Sequence, residues 1–311
     1  MKLALAGCGT MGSVFARAAL KEPGIDLTGI YDPDAVHAWQ LPDARTFESL
    51  EALLETRPDA LLAATPQPEQ ATVARTAMAQ GISVVMPLPL SAGRAEALSL
   101  IELAVSHKVK LIPFNLDRYR GNVRDVKDHI EKATIGRIGV VEMRRTVPAT
   151  RGWYADLTAS GGAVFQLLMP ELDTLIYWLG EIENAYGYRR SAGGTDFTVL
   201  TAEAACGAIA SISALWGGRE PYARRYELSG SGGNLRFDSR QADSSILWDG
   251  GEPPFNFDVS LETAEHNPCG LLLADLAREL AETDMAEVGK HIARLYELLE
   301  GIETIGEEAQ G

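Results

Sequence analysis

The feature that most constrains the fold is at the start of the chain, where Gly7-Cys8-Gly9-Thr10-Met11-Gly12 follows the apolar run KLALA without a gap. Directly after it, Met11, Val14, Phe15 and Ala18 recur at i, i+3, i+4 and i+7, which predicts one face of a helix. A G-x-G-x-x-G turn between a strand and a helix lets backbone N–H groups approach a pyrophosphate, and the positive helix N-terminus favours the charge. Asp32 ends the next apolar run, DLTGIYD, 20 residues after Gly12, where a carboxylate accepts hydrogen bonds from ribose hydroxyls. A dinucleotide site built from Gly7, Gly9, Thr10, Met11, Gly12 and Asp32 is the expectation. Pro33-Asp34-Ala35-Val36 offers no cation for a 2′-phosphate, so NAD is favoured over NADP.

The alternation continues through ALLAAT (60–65), GISVVM (81–86) and KLIPFN (110–115), each preceded by a helix-like stretch. Strands alternating with helices imply a doubly wound parallel sheet, because parallel neighbours need a long crossover. After RGNVRDVKDHIEKA (120–133) the pattern changes to long β-rich runs with glycine punctuation: IGVVEMRRTV, ENAYGYRR, FTVLTAEAACGAIASISALWG and RRYELSGSGGNLRFDS. Among them only GGAVFQLLMPELDTLIYWLG reads as helix. Two helices close the chain, one from about Pro268 to Thr283 and one carrying Val288, Ile292, Leu295, Leu299 and Ile302. The expected fold is α/β: a Rossmann domain over 1–117, then an α+β domain over 118–311 with a large, mainly antiparallel open sheet. The tail EEAQG carries no signal.

Composition narrows the partners. With 28 Lys and Arg against 43 Asp and Glu the net charge is −15, which repels nucleic acid over most of the surface. No apolar run reaches the length of a membrane span, so no membrane partner is expected. Cys8, Cys206 and Cys269 are odd in number and far apart, which suits a reducing compartment such as the cytoplasm. Neither they nor the five histidines have metal-ligand spacing, so no metal is expected.

The GCGTMG turn, Ala64-Thr65-Pro66-Gln67, the PLPLS segment from Pro87, the IGRIGVVE entry to the second half and SGGAVFQLLMPELD followed by WLG carry a resemblance over nearly the whole chain. In these segments it resembles the glucose-fructose oxidoreductase, inositol dehydrogenase and MocA family. The resemblance implies that Thr65, Pro66, Gln67 and Pro87 join the cofactor site. It also implies a sugar-like substrate and a homo-oligomer, dimer or tetramer, assembled through the second sheet. In the family a Lys in a Glu-Lys-Pro motif helps deprotonate the reacting hydroxyl, and an Asp and a His four residues apart share a helix face. Laid on that pattern, this chain has Pro87-Leu88-Pro89 for the first motif and Gln166 with Pro170 for the second pair. None of Leu88, Gln166 and Pro170 can titrate.

What remains sets the candidates for chemistry. Pro170 predicts a kink or restart of its helix, with Glu171 and Asp173 in a first turn near the positive dipole end. Asp173, seven residues after Gln166 on the same face, is the carboxylate left for proton transfer, and Tyr119 is a second proton donor. Arg118, Gln166, Trp153 and Tyr154 are candidate substrate contacts, with Arg118, Tyr119 and Arg120 read as following a sixth strand. Arg144 and Arg145 are adjacent on a strand, so at most one can point to a given face. Two functions fit: an NAD(H)-linked oxidoreductase working without the lysine, or a non-catalytic nucleotide- or metabolite-binding homologue.

Overall fold

The computed structural model describes residues 1–34, 41–148, 152–218, 221–241, 245–248, 255–257 and 267–305. The expectations that fall on Ala35, Val36, His37, His266 and the 307–311 tail lie outside the described residues. The chain divides into two compact units, Met1–Tyr119 with Ala264–Ala293, and Arg120–Thr263 with Arg294–Gly311.

In the first unit the order is β1 (Lys2–Ala6), α1 (Thr10–Ala19), β2 (Asp26–Tyr31), α2 (Leu50–Leu54), β3 (Ala60–Ala63), α3 (Gln67–Ala79), β4 (Ser83–Pro87), α4 (Arg94–Ser106) and β5 (Leu111–Phe114). The strands form one parallel sheet in the order β2-β1-β3-β4-β5. Among the described residues it has five strands, so Arg118 follows the fifth and not a sixth. The chain order reverses between β1 and β3, which is where such sheets leave a crevice beyond the strand ends. β1 and β3 are buried almost throughout, as expected of strands with helices on both faces. The face that α1 buries is Gly12, Ser13, Phe15, Ala16, Ala18 and Ala19, while Met11 and Val14 are 40% and 39% exposed. The expected stripe is therefore rotated: Phe15 and Ala18 stay inward, and the bulky residues of the first turn stand clear of the core. Phe15 meets Phe114 edge-on at 5.5 Å. The same core takes in Leu272, Leu273 and Leu276 from a helix near the end of the chain, Pro268–Glu282.

The second unit holds α5 (Gly121–Glu131), β6 (Ile138–Pro148), α6 (Leu157–Ser160), a π-helical turn (Val164–Leu168), α7 (Met169–Leu179), β7 (Ile182–Ala192), β8 (Thr195–Ala204), β9 (Ile209–Gly218), β10 (Ala223–Gly230), β11 (Gly233–Asp238), β12 (Ser245–Trp248) and β13 (Phe255–Phe257). Completing the chain are α8 (Pro268–Glu282), which belongs to the first unit, α9 (Met285–Glu300) and β14 (Ile302–Thr304). Ile302 thus leaves the helical stripe it was expected to extend and pairs with Gly187 in the sheet. Among the described residues nine strands form the sheet, in the order β13-β12-β11-β10-β6-β9-β8-β7-β14, antiparallel except at β6-β9 and β7-β14. Alternation along β8 is regular: Asp196, Thr198, Leu200 and Ala202 are buried, whereas Phe197 and Val199 are exposed. One sheet face is packed and the other open, the usual condition of an antiparallel sheet.

Candidate functional site

The three glycines of the first loop have different reasons for being glycine. Gly7 has φ +92°, and a Cβ there would lie 2.5 Å from the Ala64 carbonyl carbon and 2.6 Å from the Thr65 nitrogen. A Cβ on Gly12 would overlap the carbonyl oxygen of Gly7. Both are glycine because the loop, β3 and α1 pack backbone to backbone. Around Gly9 nothing lies within 4 Å of an added Cβ, and its φ of −62° suits any residue. Packing inside the chain gives no reason for glycine at position 9; a ligand drawn up against the backbone does.

The surroundings agree. No side chain caps the N-terminus of α1 and no carboxylate stands in its first turn, so the backbone amides of Thr10, Met11 and Gly12 carry the positive end of the helix unopposed. Asp32 accepts the Cys8 N–H at 2.5 Å and the Asp34 N–H at 2.8 Å, which fixes its carboxylate at the end of β2 beside the loop. Thr65 is buried beside Gly7, and its hydroxyl has no hydrogen-bond partner among the described residues. Gln67 opens α3 and is buried, with Pro66 at its N-cap. Pro87 ends β4, Leu88 donates its N–H to Phe114 O at 2.8 Å, and the Leu88–Pro89 peptide is cis. The open position at Gly9, the bare helix end and the unpartnered Thr65 hydroxyl fit a dinucleotide.

Burial and the Asp32 carboxylate push the Cys8 thiol up to about 12, so it stays protonated at neutral pH. Tyr119 packs against the core under α8. Burial, then Glu279 and Asp275, push its phenol up to about 12, against the lowering pull of Arg118 and Arg278. It can donate a hydrogen bond but not serve as a base near neutrality.

In the second unit, the helix bearing Gln166, Pro170 and Asp173 is anchored at its start. Gly161 and Gly162 both have positive φ, and a side chain on Gly162 would strike the Asp196 carboxylate and Arg189. Asp196, fully buried, accepts the Ala163 N–H at 2.7 Å, Ser191 Oγ at 2.7 Å and two Arg189 nitrogens at 2.9 and 3.0 Å. Pro170 falls in the first turn of α7, as expected, but the helix does not begin afresh there. The π-helical turn runs straight into it, widening the ladder where proline offers no N–H.

Glu171 consequently does not sit at a free positive helix end. Its carboxylate accepts two hydrogen bonds from Arg224 at 2.8 Å each and one from Arg145 at 3.2 Å. Arg145 points inward to do this while Arg144 is exposed on the other face, as strand alternation requires. This network escaped the sequence reading because Glu171 and Arg224 are 53 residues apart with no local pattern linking them. Asp173 is buried in α7, and Gln166 donates from Nε2 to Ser160 O at 2.8 Å. Trp153 and Tyr154 stack at 3.8 Å in the turn Gly152–Ala155, with Tyr154 5.7 Å from Trp216. Arg118 lies in the 3-10 turn Leu116–Tyr119 of the first unit.

Two family models match the chain in order. The GFO/IDH/MocA oxidoreductase family's NAD-binding Rossmann fold covers residues 1–114, and the GFO/IDH/MocA C-terminal domain covers 123–236. The chain belongs to the GFO/IDH/MocA family. Rhizopine catabolism protein MocA of Rhizobium meliloti is 24% identical over 185 residues, 58% of this chain and 57% of that protein. Inositol 2-dehydrogenase 4 of Saccharopolyspora erythraea is 25% identical over 232 residues, 68% of this chain and 66% of its own length. The match therefore spans less than two thirds of either relative. Levoglucosan dehydrogenase, solved with NADH and L-sorbose, superposes with a TM-score of 0.83 at 15% identity, over 97% of this chain and 96% of that one. At that identity the likeness is one of fold. NAD is thus the cofactor of this GFO/IDH/MocA member's first unit, in keeping with a glycine loop that leaves room for it.

Proposed function

We propose that this protein is an NAD(H)-linked oxidoreductase acting on a small polar substrate, sugar-like, keto or conjugated, without a lysine base. The observation that carries the cofactor half of this reading is Gly9, a glycine with no steric reason inside the chain. Gly7, Thr10, Met11 and Gly12 would hold the pyrophosphate, Asp32 the ribose, and Thr65, Pro66, Gln67 and Pro87 the remainder. Bound NADH supplies a hydride.

The chemical half rests on what positions 88, 166 and 170 carry. General base catalysis contributes about 10² to 10⁴ in rate, and Leu, Gln and Pro contribute none of it. Reduction of a carbonyl or conjugated acceptor consumes a proton instead of releasing one, so it needs no base. Asp173 or solvent supplies that proton, and Tyr119, protonated at every physiological pH, serves as hydrogen-bond donor. Arg118, Gln166, Trp153 and Tyr154 bind the substrate in this reading. The chain works in the cytoplasm; its three cysteines are free thiols, and no helix among the described residues is long and apolar enough to cross a membrane. It assembles into a homo-oligomer through the open face of the nine-stranded sheet.

Titration with NADH, followed by an acceptor panel set against inositol and glucose with NAD+, tests the proposal. Saturable binding below millimolar NADH, oxidation of NADH by a keto or conjugated acceptor, and polyol turnover at least about 100-fold slower are expected. Rapid inositol or glucose oxidation would sink the base-free reading. Tight NADH binding with no acceptor turned over would leave a non-catalytic homologue.

A further inference from the structure

At one end of the second sheet the register brings a cation and aromatic side chains to the packed face. Arg145 on β6 lies opposite Ala214 on β9 and Arg224 on β10. Two residues on, Val147 lies opposite Trp216, and Tyr222 directly precedes the β10 residue that pairs with Thr146, so it continues the same line beyond β6. Alternation puts Val147 and Trp216 on the face that carries Arg145. A small residue thus separates two large aromatic ones, whose backbones lie about 10 Å apart across β6. Tyr154 packs against Trp216 with ring centres 5.7 Å apart, and Trp153 stacks on Tyr154 at 3.8 Å. Arg145 reaches Glu171 through Nη1 at 3.2 Å, while its Nη2 turns to the Tyr222 hydroxyl oxygen at 3.5 Å, beyond the usual length of such a bond. The Tyr222 ring stands 6.0 Å from the guanidinium carbon and is 45% exposed, and among the described residues its hydroxyl proton goes to no acceptor. Holding Glu171 accounts for Nη1; it does not account for a guanidinium edge and a phenol facing each other just out of reach at an open margin.

We infer that this end of the sheet is a subsite for a carboxylate carried on a six-membered ring, and that the substrate is a sugar acid in its pyranose form. Arg145 Nη2 and the Tyr222 hydroxyl are both donors converging on one point. A carboxylate oxygen there accepts from both, in charge-assisted bonds that a neutral hydroxyl cannot match. The ring lies over Val147 between Trp216 and Tyr222, with its C–H faces against aromatic surface. Glu171 keeps its own support when this happens, because Arg224 spans both of its oxygens at 2.8 Å each. In a chain of net charge −15 the general field repels anions, so a carboxylate is held only where donors of this kind face it. The fate of the bound ring rests on the oxidoreductase reading above; the site itself lies within the second unit and does not.

Calorimetric titration of the whole protein, with and without NADH, compares glucuronate and galacturonate with glucuronamide and glucose. At least one uronate is expected to bind about 10- to 100-fold more tightly than glucuronamide, the range for a hydrogen bond to a charged group. Arg145→Gln should bring uronate affinity to within about 3-fold of the amide, and Tyr222→Phe should reduce the preference by about 3-fold or more. Trp153→Ala should weaken uronate and amide alike. Circular dichroism reports that each variant is folded; should Arg145→Gln not fold, the exposed Tyr222→Phe decides. Uronates that bind no better than glucuronamide, or a preference unchanged in folded Arg145→Gln or in Tyr222→Phe, would overturn the subsite while leaving the oxidoreductase reading standing. A preference that depends on both residues, with no keto form of a sugar acid able to oxidise NADH, would keep the subsite and remove that reading instead.

Discussion

In the function proposed above the first unit meets its cofactor with backbone, whereas the charged side chains around α7 in the second unit have structural work. In the Gly7–Gly12 loop the useful groups are amide N–H bonds at the end of α1, present whatever the neighbouring side chains become. Around α7 the charged groups are committed. Glu171 is held by Arg224 and Arg145, and Asp196 closes the start of the helix with Arg189 and Ser191. A backbone site survives sequence drift as long as its glycines do, whereas a side-chain site is lost one substitution at a time without harm to the fold.

The largest effect expected from this contrast is in the second unit. Glu171→Ala leaves Arg224, 3% exposed, with its bidentate carboxylate gone, and should lower the free energy of unfolding by roughly 3–5 kcal/mol in urea titration. The exposed pair Glu227–Arg236 offers the control: Glu227→Ala should cost less than about 1 kcal/mol. A Glu171→Ala protein with natural stability but lost activity would reverse the comparison, making the network functional instead of structural.

The next effect is in the first unit and separates two glycines three residues apart. Gly12→Ala drives a methyl into the Gly7 carbonyl, with backbone on both sides, and should cost about 3 kcal/mol. Gly9→Ala meets nothing, so stability should stay within about 0.5 kcal/mol while NADH affinity falls at least about 10-fold, read by fluorescence. Unchanged affinity in Gly9→Ala would mean that the loop no longer approaches a pyrophosphate.

Local pattern made the first unit legible. The glycine spacing, the first two apolar runs and Asp32 are all within 32 residues, and each has a short-range cause. The rotated face of α1 was the exception, because Met11 and Val14 fit the periodicity and only the close approach of Gly12 to Gly7 decides which stripe turns inward. The second unit was legible as strands but not as a site. The Glu171–Arg224 pair depends on β10 lying beside β6, and no local signal announces that neighbourhood. The return of Pro268–Glu282 to the first unit is likewise hidden, since its apolar face reads the same whichever sheet it covers. Pro170 was readable as an interruption; the π-helical turn that absorbs it was not.

Tyr119 gives a smaller effect, confined to alkaline pH. Its phenol titrates near 10 in the unfolded chain and about 12 in the folded one, so the folded state holds its proton more tightly. Stability is therefore fully present below pH 10 and falls as the pH rises from 10 to about 12. Tyr119→Phe should flatten that decline by up to about 2 kcal/mol and leave the pH dependence between 6 and 9 unchanged. A rate profile that shifts near neutrality in Tyr119→Phe would show the phenol taking part in proton transfer directly.

The smallest perturbation tests the loop without altering it. Cys8 is buried inside the glycine turn, its Sγ 3.8 Å from Tyr31 O, and Cys269 is buried in the first turn of α8, whereas Cys206 is exposed. The thiolate is the reactive form, and burial with Asp32 nearby keeps Cys8 from forming it. At pH 8 a thiol reagent should label one cysteine rapidly, and Cys206→Ser should abolish that labelling with no change in stability. Slow labelling of Cys8 that NADH suppresses would show a loop that opens and closes around its ligand, and the first unit would then depend on motion as well as on fixed backbone. Labelling of Cys8 as fast as Cys206, indifferent to NADH, would contradict the packed glycine turn on which the contrast between the two units rests.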